Sequence, residues 1–154
     1  MKDSAATNPL EIMDSAGNKV TASRMHHVGY VVASIQETVR GFAESIRATW
    51  DEQIFADPNQ VVRVTFLAGN HPHDPQVELI EPNGPNSPVL AFLKKGGGLH
   101  HLCYEVSSLE AELEFSRRAG GIVVKRPLPA VAFGGRRIAW VFTKNKLLIE
   151  YLET

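Results

Sequence analysis

The sequence predicts an α+β fold in which two tandem β-α-β-β-β modules pair around a shared cleft. Two observations support this fold class: the strand and helix pattern starts again halfway along the chain, and its two starting points are similar. Residues 26–35, HHVGYVVASI, align with residues 100–109, HHLCYEVSSL. Five of the ten positions are identical, and two more exchange one apolar residue for another. Such agreement at the head of two similar units indicates a tandem duplication.

The first module is predicted at residues 25–82. His27–Val32 has the β-branched and aromatic content of a strand. Ser34, with Glu37 three residues later, is typical of a helix N-terminus, and the apolar spacing predicts a helix from Ile35 to Trp50. Three apolar runs then predict strands at Asp51–Phe55, Val61–Leu67 and Val77–Ile80.

A turn-rich linker at residues 83–98, with a short helix from Val89 to Lys95, leads to the second module at residues 99–153. This module repeats the order of the first one: strand Leu99–Val106, helix Leu109–Ala119 capped by Ser108, and strands Ile122–Lys125, Arg137–Phe142 and Leu147–Leu152. Residues 24–154 are therefore predicted to form a single domain. Residues 1–23 are polar and lack apolar periodicity, which predicts a flexible N-terminal extension.

Composition excludes several classes of protein. The chain is 44% hydrophobic and 21% charged with a formal net charge of -1, which favours a globular protein and gives no electrostatic case for nucleic acid. No apolar run approaches the ~20 residues of a membrane span, and the N-terminus does not resemble a secretory signal. Cys103 is the single cysteine, so an internal disulfide is impossible and a cytoplasmic location is expected.

Each module opens with a pair of histidines on its first strand. Because side chains alternate along a strand, His27 and His101 are predicted to face the cleft beside the small residues Gly29 and Cys103. Their neighbours, His26 and His100, are predicted to face away and to pack under a helix.

Each module also ends with a glutamate inside an apolar strand, Glu78 or Glu150. Burial of a carboxylate is costly unless the group is paired or binds a metal. Two imidazoles and two carboxylates suit one divalent ion, which Zn, Ni, Co, Mn or Fe would satisfy equally. On the residues alone, packed histidines and solvent-facing glutamates explain these positions about as well. His71 and His73, between Asn70 and Pro75, fit a plain exposed loop better than a metal site.

Five segments together resemble a known family: HHVGYVV, VELIEP, SPVLAFLKKGGGLHHLCYEV, FGGRRIAWVF and LLIEYLE. They resemble the vicinal oxygen chelate superfamily, which includes glyoxalases, bleomycin-resistance proteins and dioxygenases, and within it the methylmalonyl-CoA epimerases. The resemblance covers Met25 to Glu153. It implies a glyoxalase-like fold, often a homodimer, and a metal bound by His27, Glu78, His101 and Glu150.

The resemblance also implies a function. A divalent-metal-dependent isomerase of this type transfers a proton next to a carbonyl through a metal-bound enediolate, with Glu150 or Glu78 as the base. The expected substrate is a small molecule, either an acyl-CoA or a thiol adduct. Its anionic tail is predicted to contact cationic side chains near the last two strands: Arg136, Arg137, Lys144 and Lys146.

Two departures leave other functions open. Some epimerases carry a second catalytic carboxylate on the strand that matches Val61–Leu67, and this chain has none there. The segment Phe142–Leu147 is also shorter than the Gly-rich loop usual before the last strand. The alternatives are a glyoxalase I-like lyase (a lactoylglutathione lyase) and a non-catalytic protein that binds small molecules and confers resistance.

Overall fold

The computed structural model describes residues 23–154 and, in the segment before them, only two short strands. These strands, β1 (Ile12–Met13) and β2 (Lys19–Val20), pair antiparallel. Residues 1–11, 14–18 and 21–22 of the predicted flexible extension (1–23) lie outside the described part of the chain, so its flexibility stays a prediction.

The two predicted modules are both present, and the predicted fold class is confirmed. The first contains β3 (Arg24–Val31), α1 (Ile35–Ile46), β4 (Thr49–Trp50), β5 (Phe55–Asp57), β6 (Val62–Ala68) and β7 (Gln76–Pro82). A short helix, α2 (Leu90–Leu93), lies in the connection. The second contains β8 (Gly98–Val106), α3 (Leu109–Arg118), β9 (Ile122–Pro129), a 3-10 turn (Val131–Phe133), β10 (Arg137–Phe142) and β11 (Leu148–Glu153).

Within the described residues, nine of the strands form one mixed sheet in the order β4-β6-β7-β3-β8-β11-β10-β9, with β5 also paired to β6. The first strands of the two modules, β3 and β8, are antiparallel neighbours at its centre. On either side, the last strand of each module runs parallel to the first: β7 beside β3, and β11 beside β8. Each half of the sheet therefore repeats the other across the β3–β8 pair.

Both long helices begin where the sequence predicts. The hydroxyl of Ser34 accepts a hydrogen bond from the N–H of Glu37, and Ser108 caps the second helix by accepting the N–H of Ala111. These caps satisfy backbone donors that have no partner inside the helix.

An ion pair at the end of each module also holds the helix start. Glu81 accepts the N–H of Ile35 at 2.5 Å and pairs with Arg63 at 2.6 Å. The second module repeats this arrangement with Glu153, which accepts the N–H of Leu109 at 3.3 Å and pairs with Arg137 at 2.7 Å.

The first helix ends earlier than predicted, at Ile46 and not at Trp50. Arg47 adopts a left-handed conformation (φ 55°), and its N–H closes the last turn on Ala43 and Glu44. Trp50 then pairs with β6 and belongs to strand β4. Its apolar side chain also fits the helical spacing, which is why the sequence predicted a longer helix.

The predicted strand at Asp51–Phe55 is also shifted. A carboxylate oxygen of Asp51 accepts the N–H of Gln53 at 3.0 Å, which makes a local turn and delays the strand until Phe55.

Each helix covers one face of its own half of the sheet and forms an apolar core with it. The core under α1 contains Val32, Ile35, Val39, Ala43, Leu67 and Leu79, and the core under α3 contains Val106, Leu109, Leu113, Ala139, Val141 and Tyr151. The opposite face of the sheet carries the polar side chains described below. No helix in the described part of the chain has the length and apolar character that a membrane crossing requires.

Substitution of two leucines in the second module distinguishes the contribution of core packing to stability from that of the surface. Leu109 is fully buried, whereas Leu99 is 71% exposed. We expect Leu109→Ala to lower the free energy of unfolding by about 2–5 kcal/mol, because it leaves a cavity under α3. Leu99→Ala is the matched control and should change it by less than about 0.5 kcal/mol. Urea denaturation followed by circular dichroism measures both, and equal effects would contradict this account of the core.

Candidate metal centre

Four polar side chains from four strands meet on the face of the sheet opposite the helices. Nε2 of His27 lies 3.1 Å from Nε2 of His101, 3.3 Å from Oε2 of Glu78 and 3.2 Å from Oε2 of Glu150. Nε2 of His101 lies 3.5 Å from the same oxygen of each glutamate. The structure thus brings together all four residues that the sequence proposes as metal ligands.

The strand register explains this convergence. In the β3–β8 ladder each histidine lies opposite the small residue of the other module: His27 opposite Cys103, and His101 opposite Gly29. Gly29 is also the parallel partner of Glu78, and Cys103 that of Glu150. The small neighbours leave space for the imidazoles, and a Cβ on Gly29 would overlap the ring of His101.

The cluster is almost completely removed from solvent. His27 is 0% exposed and Glu150 2% exposed. Burial alone raises the pKa of Glu150, but the imidazoles of His101 and His27 outweigh it, so this pKa lies well below its ordinary value. Among the described residues no donor makes a hydrogen bond to Oε2 of Glu150, although both imidazoles are near it. A buried anionic oxygen thus lacks a suitably oriented partner.

The glutamates of the cluster also change the pKa of His27. Burial lowers the pKa of this imidazole, and the negative charge of Glu78 raises it. With further contributions from hydrogen bonding, the pKa of His27 lies well above its ordinary value. Metal binding at this position must therefore displace a proton, because only the neutral imidazole has a lone pair to offer.

The donor set fits a divalent ion in both chemistry and spacing. Atoms bound to one ion at about 2.0–2.2 Å are separated by roughly 2.8–3.6 Å, depending on the coordination geometry. The separations of 3.1–3.5 Å around the two imidazoles fall in this range. A cation would also satisfy the buried carboxylate of Glu150.

Aromatic side chains that the sequence analysis did not single out enclose the two imidazoles. The ring of His27 stacks on Phe133 and meets Phe66 edge to face, with centroids 5.8 and 5.6 Å away. Trp140 meets His101 edge to face at 4.6 Å. Phe66 and Trp140 have the same spacing from one another as His27 and His101, so extending the internal repeat into the later strands would have found them.

A cavity of about 280 Å³ opens onto the cluster. Glu78, His101 and Glu150 are among the residues that line it. The other polar residues of its lining are Gln60, His100 and Lys125. The rest of the lining is apolar: Val62, Val64, Ile80, Pro88, Val89, Val124, Trp140 and Leu148.

The four predicted substrate-binding cations lie outside this cavity. Arg136 donates to the carbonyl of Glu153 and to the carboxylate of Glu105, and Arg137 belongs to the ion pair that holds α3. Both arginines thus have partners within the protein, and their substrate role stays a prediction. Lys144 is exposed.

Lys146 lines a neighbouring apolar cavity that shares His100, His101 and Leu148 with the first. The cation that lines the first cavity is Lys125, which the sequence analysis did not select.

The prediction that His26 and His100 face away from the cleft is wrong. His100 lines the same cavity as His101, and His26 packs edge to face against Phe66 and Phe133, the rings that also surround His27. Simple alternation fails because the β3–β8 register shifts at both positions.

The comparison with known families agrees with this geometry. The sequence model of the Glyoxalase/Bleomycin resistance protein/Dioxygenase superfamily matches residues 26–140. The chain therefore belongs to this superfamily. The match includes three of the four clustered residues and ends before Glu150.

Within this superfamily, the chain is similar to several epimerases that act on acyl-CoA substrates, both in sequence and in structure. The chain is 29% identical over 134 residues to the ethylmalonyl-CoA/methylmalonyl-CoA epimerase of Cereibacter sphaeroides, covering 82% of this chain and 95% of that protein. The crystal structure of methylmalonyl-CoA epimerase from Mycobacterium tuberculosis superposes with a TM-score of 0.74 at 25% identity, covering 87% and 92% of the two chains. A variant of the Streptomyces coelicolor methylmalonyl-CoA epimerase, in complex with 2-nitronate-propionyl-CoA, shares the fold at 22% identity and a TM-score of 0.72, covering 87% and 99%.

The thiol of Cys103 tests how closed this centre is. Burial raises the pKa of Cys103 to about 12 from its ordinary 9.0, so at neutral pH the folded protein holds roughly a thousandfold less thiolate. We expect almost no reaction with the disulfide reagent DTNB at pH 7.5, and complete reaction after unfolding in urea. Stoichiometric labelling of the folded protein within minutes would contradict the closed geometry.

Proposed function

We propose that this protein is a divalent-metal-dependent isomerase that moves a proton at the carbon next to a carbonyl, in the manner of a methylmalonyl-CoA epimerase. The buried cluster of His27, Glu78, His101 and Glu150, of which all but His27 line a cavity, is the observation that carries the proposal. A structural role alone does not explain it, because two carboxylates and two imidazoles converge without an arginine or lysine among them.

The chain's own residues have distinct roles in this proposal. All four side chains would hold the ion, which supplies Lewis acidity for the negative charge that develops on a carbonyl oxygen as the α-proton leaves. Glu78 and Glu150 both line the cavity, so either carboxylate is placed to accept that proton. Phe66, Phe133 and Trp140 exclude water from the imidazoles.

The cavity suits a short acyl group with a longer anionic tail. Most of the residues that line it are apolar, which favours a small branched or unbranched acyl chain. Lys125 in this cavity and Lys146 in the adjoining one offer positive charge for a tail. An acyl-CoA thioester, the substrate class named for the relatives, has both features.

One wall of the cavity favours a second candidate function. An epimerase must remove a proton from one side of the carbon and deliver one to the other, yet the β6 strand offers only Val62 and Val64. A glyoxalase-type isomerase, acting on the adduct of a thiol and a ketoaldehyde, can return the proton from the same side with one carboxylate. The same cluster would serve both reactions.

A deuterium-exchange experiment tests the proposal. Co²⁺-loaded protein and a single C2 epimer of methylmalonyl-CoA are incubated in D₂O. We expect deuterium at C2 together with conversion to a mixture of the two C2 epimers, measured by mass spectrometry and circular dichroism. The adduct of methylglyoxal and glutathione is tested in parallel by absorbance at 240 nm.

A variant of one carboxylate separates enzymatic from spontaneous exchange. We expect Glu150→Gln to slow exchange by about 10²–10⁴-fold, because a general base contributes that much. Glu114→Gln on the exposed face of α3 is the matched control and should leave the rate unchanged. Deuterium exchange with retained configuration at C2 would contradict the epimerase proposal. Turnover of the glutathione adduct alone would favour the glyoxalase-type activity. If the protein turns over neither substrate, the isomerase proposal is wrong.

Metal binding is tested separately through Gly29. A Cβ there would overlap the His101 ring, so Gly29→Ala must displace one donor of the cluster. We expect Co²⁺ affinity to fall by at least about tenfold, measured by chelator competition.

Gly41→Ala in α1 is the control for this metal test, because among the described residues nothing beyond its chain neighbours and the backbone of its own helix lies within 4 Å of an added Cβ. Its Co²⁺ affinity should equal that of the wild type. Unchanged Co²⁺ affinity in Gly29→Ala, or less than one ion per several wild-type chains after reconstitution, would count against the metal site and favour a non-catalytic binding protein.

A further inference from the structure

Each clustered imidazole has a second contact on the side away from the cluster. Nδ1 of His27 lies 2.8 Å from Nδ1 of His26, and Nδ1 of His101 lies 3.0 Å from Nδ1 of His100. Both separations are hydrogen-bond distances between ring nitrogens. The same contact thus occurs twice, once in each module.

Neighbouring residues of a regular strand point to opposite faces and do not make such contacts. The register of the β3–β8 ladder shows why these residues do. Met25 pairs with Tyr104 and His27 with Cys103, which leaves His26 without a partner. Each of these shifts is a β-bulge, which re-aims a side chain that would otherwise point away.

The second bulge lies on the opposite strand. Gly29 pairs with His101 and Tyr30 with Leu99, so His100 is the extra residue there. One bulge on each central strand thus turns the first histidine of each pair toward the second.

The outer rings are themselves fixed by aromatic neighbours. His26 meets Phe133 edge to face with centroids 5.4 Å apart. His100 meets Phe92 of α2 in the same manner at 5.0 Å. A hydrogen bond can orient its donor only if the acceptor is itself held in place, and these aromatic contacts hold the two outer rings.

A neutral imidazole carries one proton, on one of its two nitrogens. If Nε2 of His27 or His101 binds an ion, the proton of that ring must be on Nδ1, and it needs an acceptor there. Nδ1 of the preceding histidine lies within hydrogen-bond distance and can accept this proton, provided that its own proton is on Nε2. The sulfur of Cys103 also lies near His27, but it is a weaker acceptor than an imidazole nitrogen. A hydrogen bond of this kind fixes both the tautomer and the rotation of the ligand ring.

We propose that His26 and His100 are positioning residues, which accept the Nδ1 proton of His27 and His101 and thereby hold each Nε2 lone pair toward the ion. The inference rests on the metal site proposed above. It assigns a role to the paired histidines at the head of both modules, and to the bulges that turn them.

The test compares two substitutions at each outer histidine. His26→Asn and His100→Asn keep an acceptor oxygen near the position of Nδ1, whereas His26→Leu and His100→Leu remove it. Zn²⁺ affinity is measured by competition with a chromophoric chelator. We expect about a 10–100-fold loss in each leucine variant, as for other hydrogen-bond partners of metal ligands, and recovery to within about threefold of wild type in each asparagine variant.

His73→Leu, in the exposed loop between β6 and β7, is the matched control and should bind Zn²⁺ like the wild type. Thermal unfolding of each metal-free variant separates loss of the ligand orientation from loss of the fold. If a leucine variant does not fold, the asparagine variant and the spectrum of the wild-type protein decide.

That spectrum is the ¹⁵N–¹H correlation of the imidazoles in the Zn²⁺-loaded wild type. We expect protons on Nδ1 of His27 and His101 and none on Nδ1 of His26 and His100. Tight Zn²⁺ binding by all leucine variants, or the reversed proton positions, would overturn the positioning role and leave the metal site intact. Failure of the wild type to bind Zn²⁺ would instead overturn both.

Discussion

The antiparallel pairing of β3 with β8 is the constraint on which the rest of the structure depends. It joins two modules that would each leave one face of a small sheet uncovered, and it sets which residues of one module lie opposite which residues of the other. His27 meets Cys103 and His101 meets Gly29 because of this register. A slip by one residue would turn an imidazole toward the helical side of the sheet and separate the cluster. The pairing of β3 with β8 therefore determines both the fold and the arrangement of the site.

Two glutamates of β7 show how the chain treats buried carboxylates differently. Glu81 pairs with Arg63 and accepts the N–H of Ile35, so its charge is compensated locally and holds a helix. Glu78, three residues earlier, faces the imidazoles of the cluster without a permanent cation. The second module repeats the contrast with Glu153 and Glu150. The uncompensated member of each pair is the one that lines the cavity, which is the placement expected of a group that serves binding and not stability.

The sequence was sufficient for the features that follow from local chemistry and from the repeat. Ser34 and Ser108 mark helix starts because their hydroxyls cap the helix, and the repeated histidines and the embedded glutamates selected the cluster that the structure assembles. It was insufficient where the outcome depends on pairing partners. Trp50 fits a helix by spacing but pairs with β6. Arg137 was predicted to contact a substrate, and the sequence does not indicate its ion pair with Glu153. The bulges at His26 and His100 are also a property of two strands together, so the alternation of one strand gives the wrong face.

The two halves of the site have diverged in an informative way. The cluster is nearly symmetric, since each module supplies one histidine and one glutamate from equivalent strands. The lining of the cavity is not symmetric: beside its glutamate the first module contributes Gln60, Val62, Val64 and Ile80, and the second contributes Val124, Lys125, Trp140 and Leu148, so the one cation of the lining comes from the second module. A symmetric ion has no need of this difference, whereas a substrate with an apolar end and a charged end does. The donor set is alike in the two modules and the walls of the cavity differ, which is the arrangement expected if the cavity binds an asymmetric molecule beside the proposed ion.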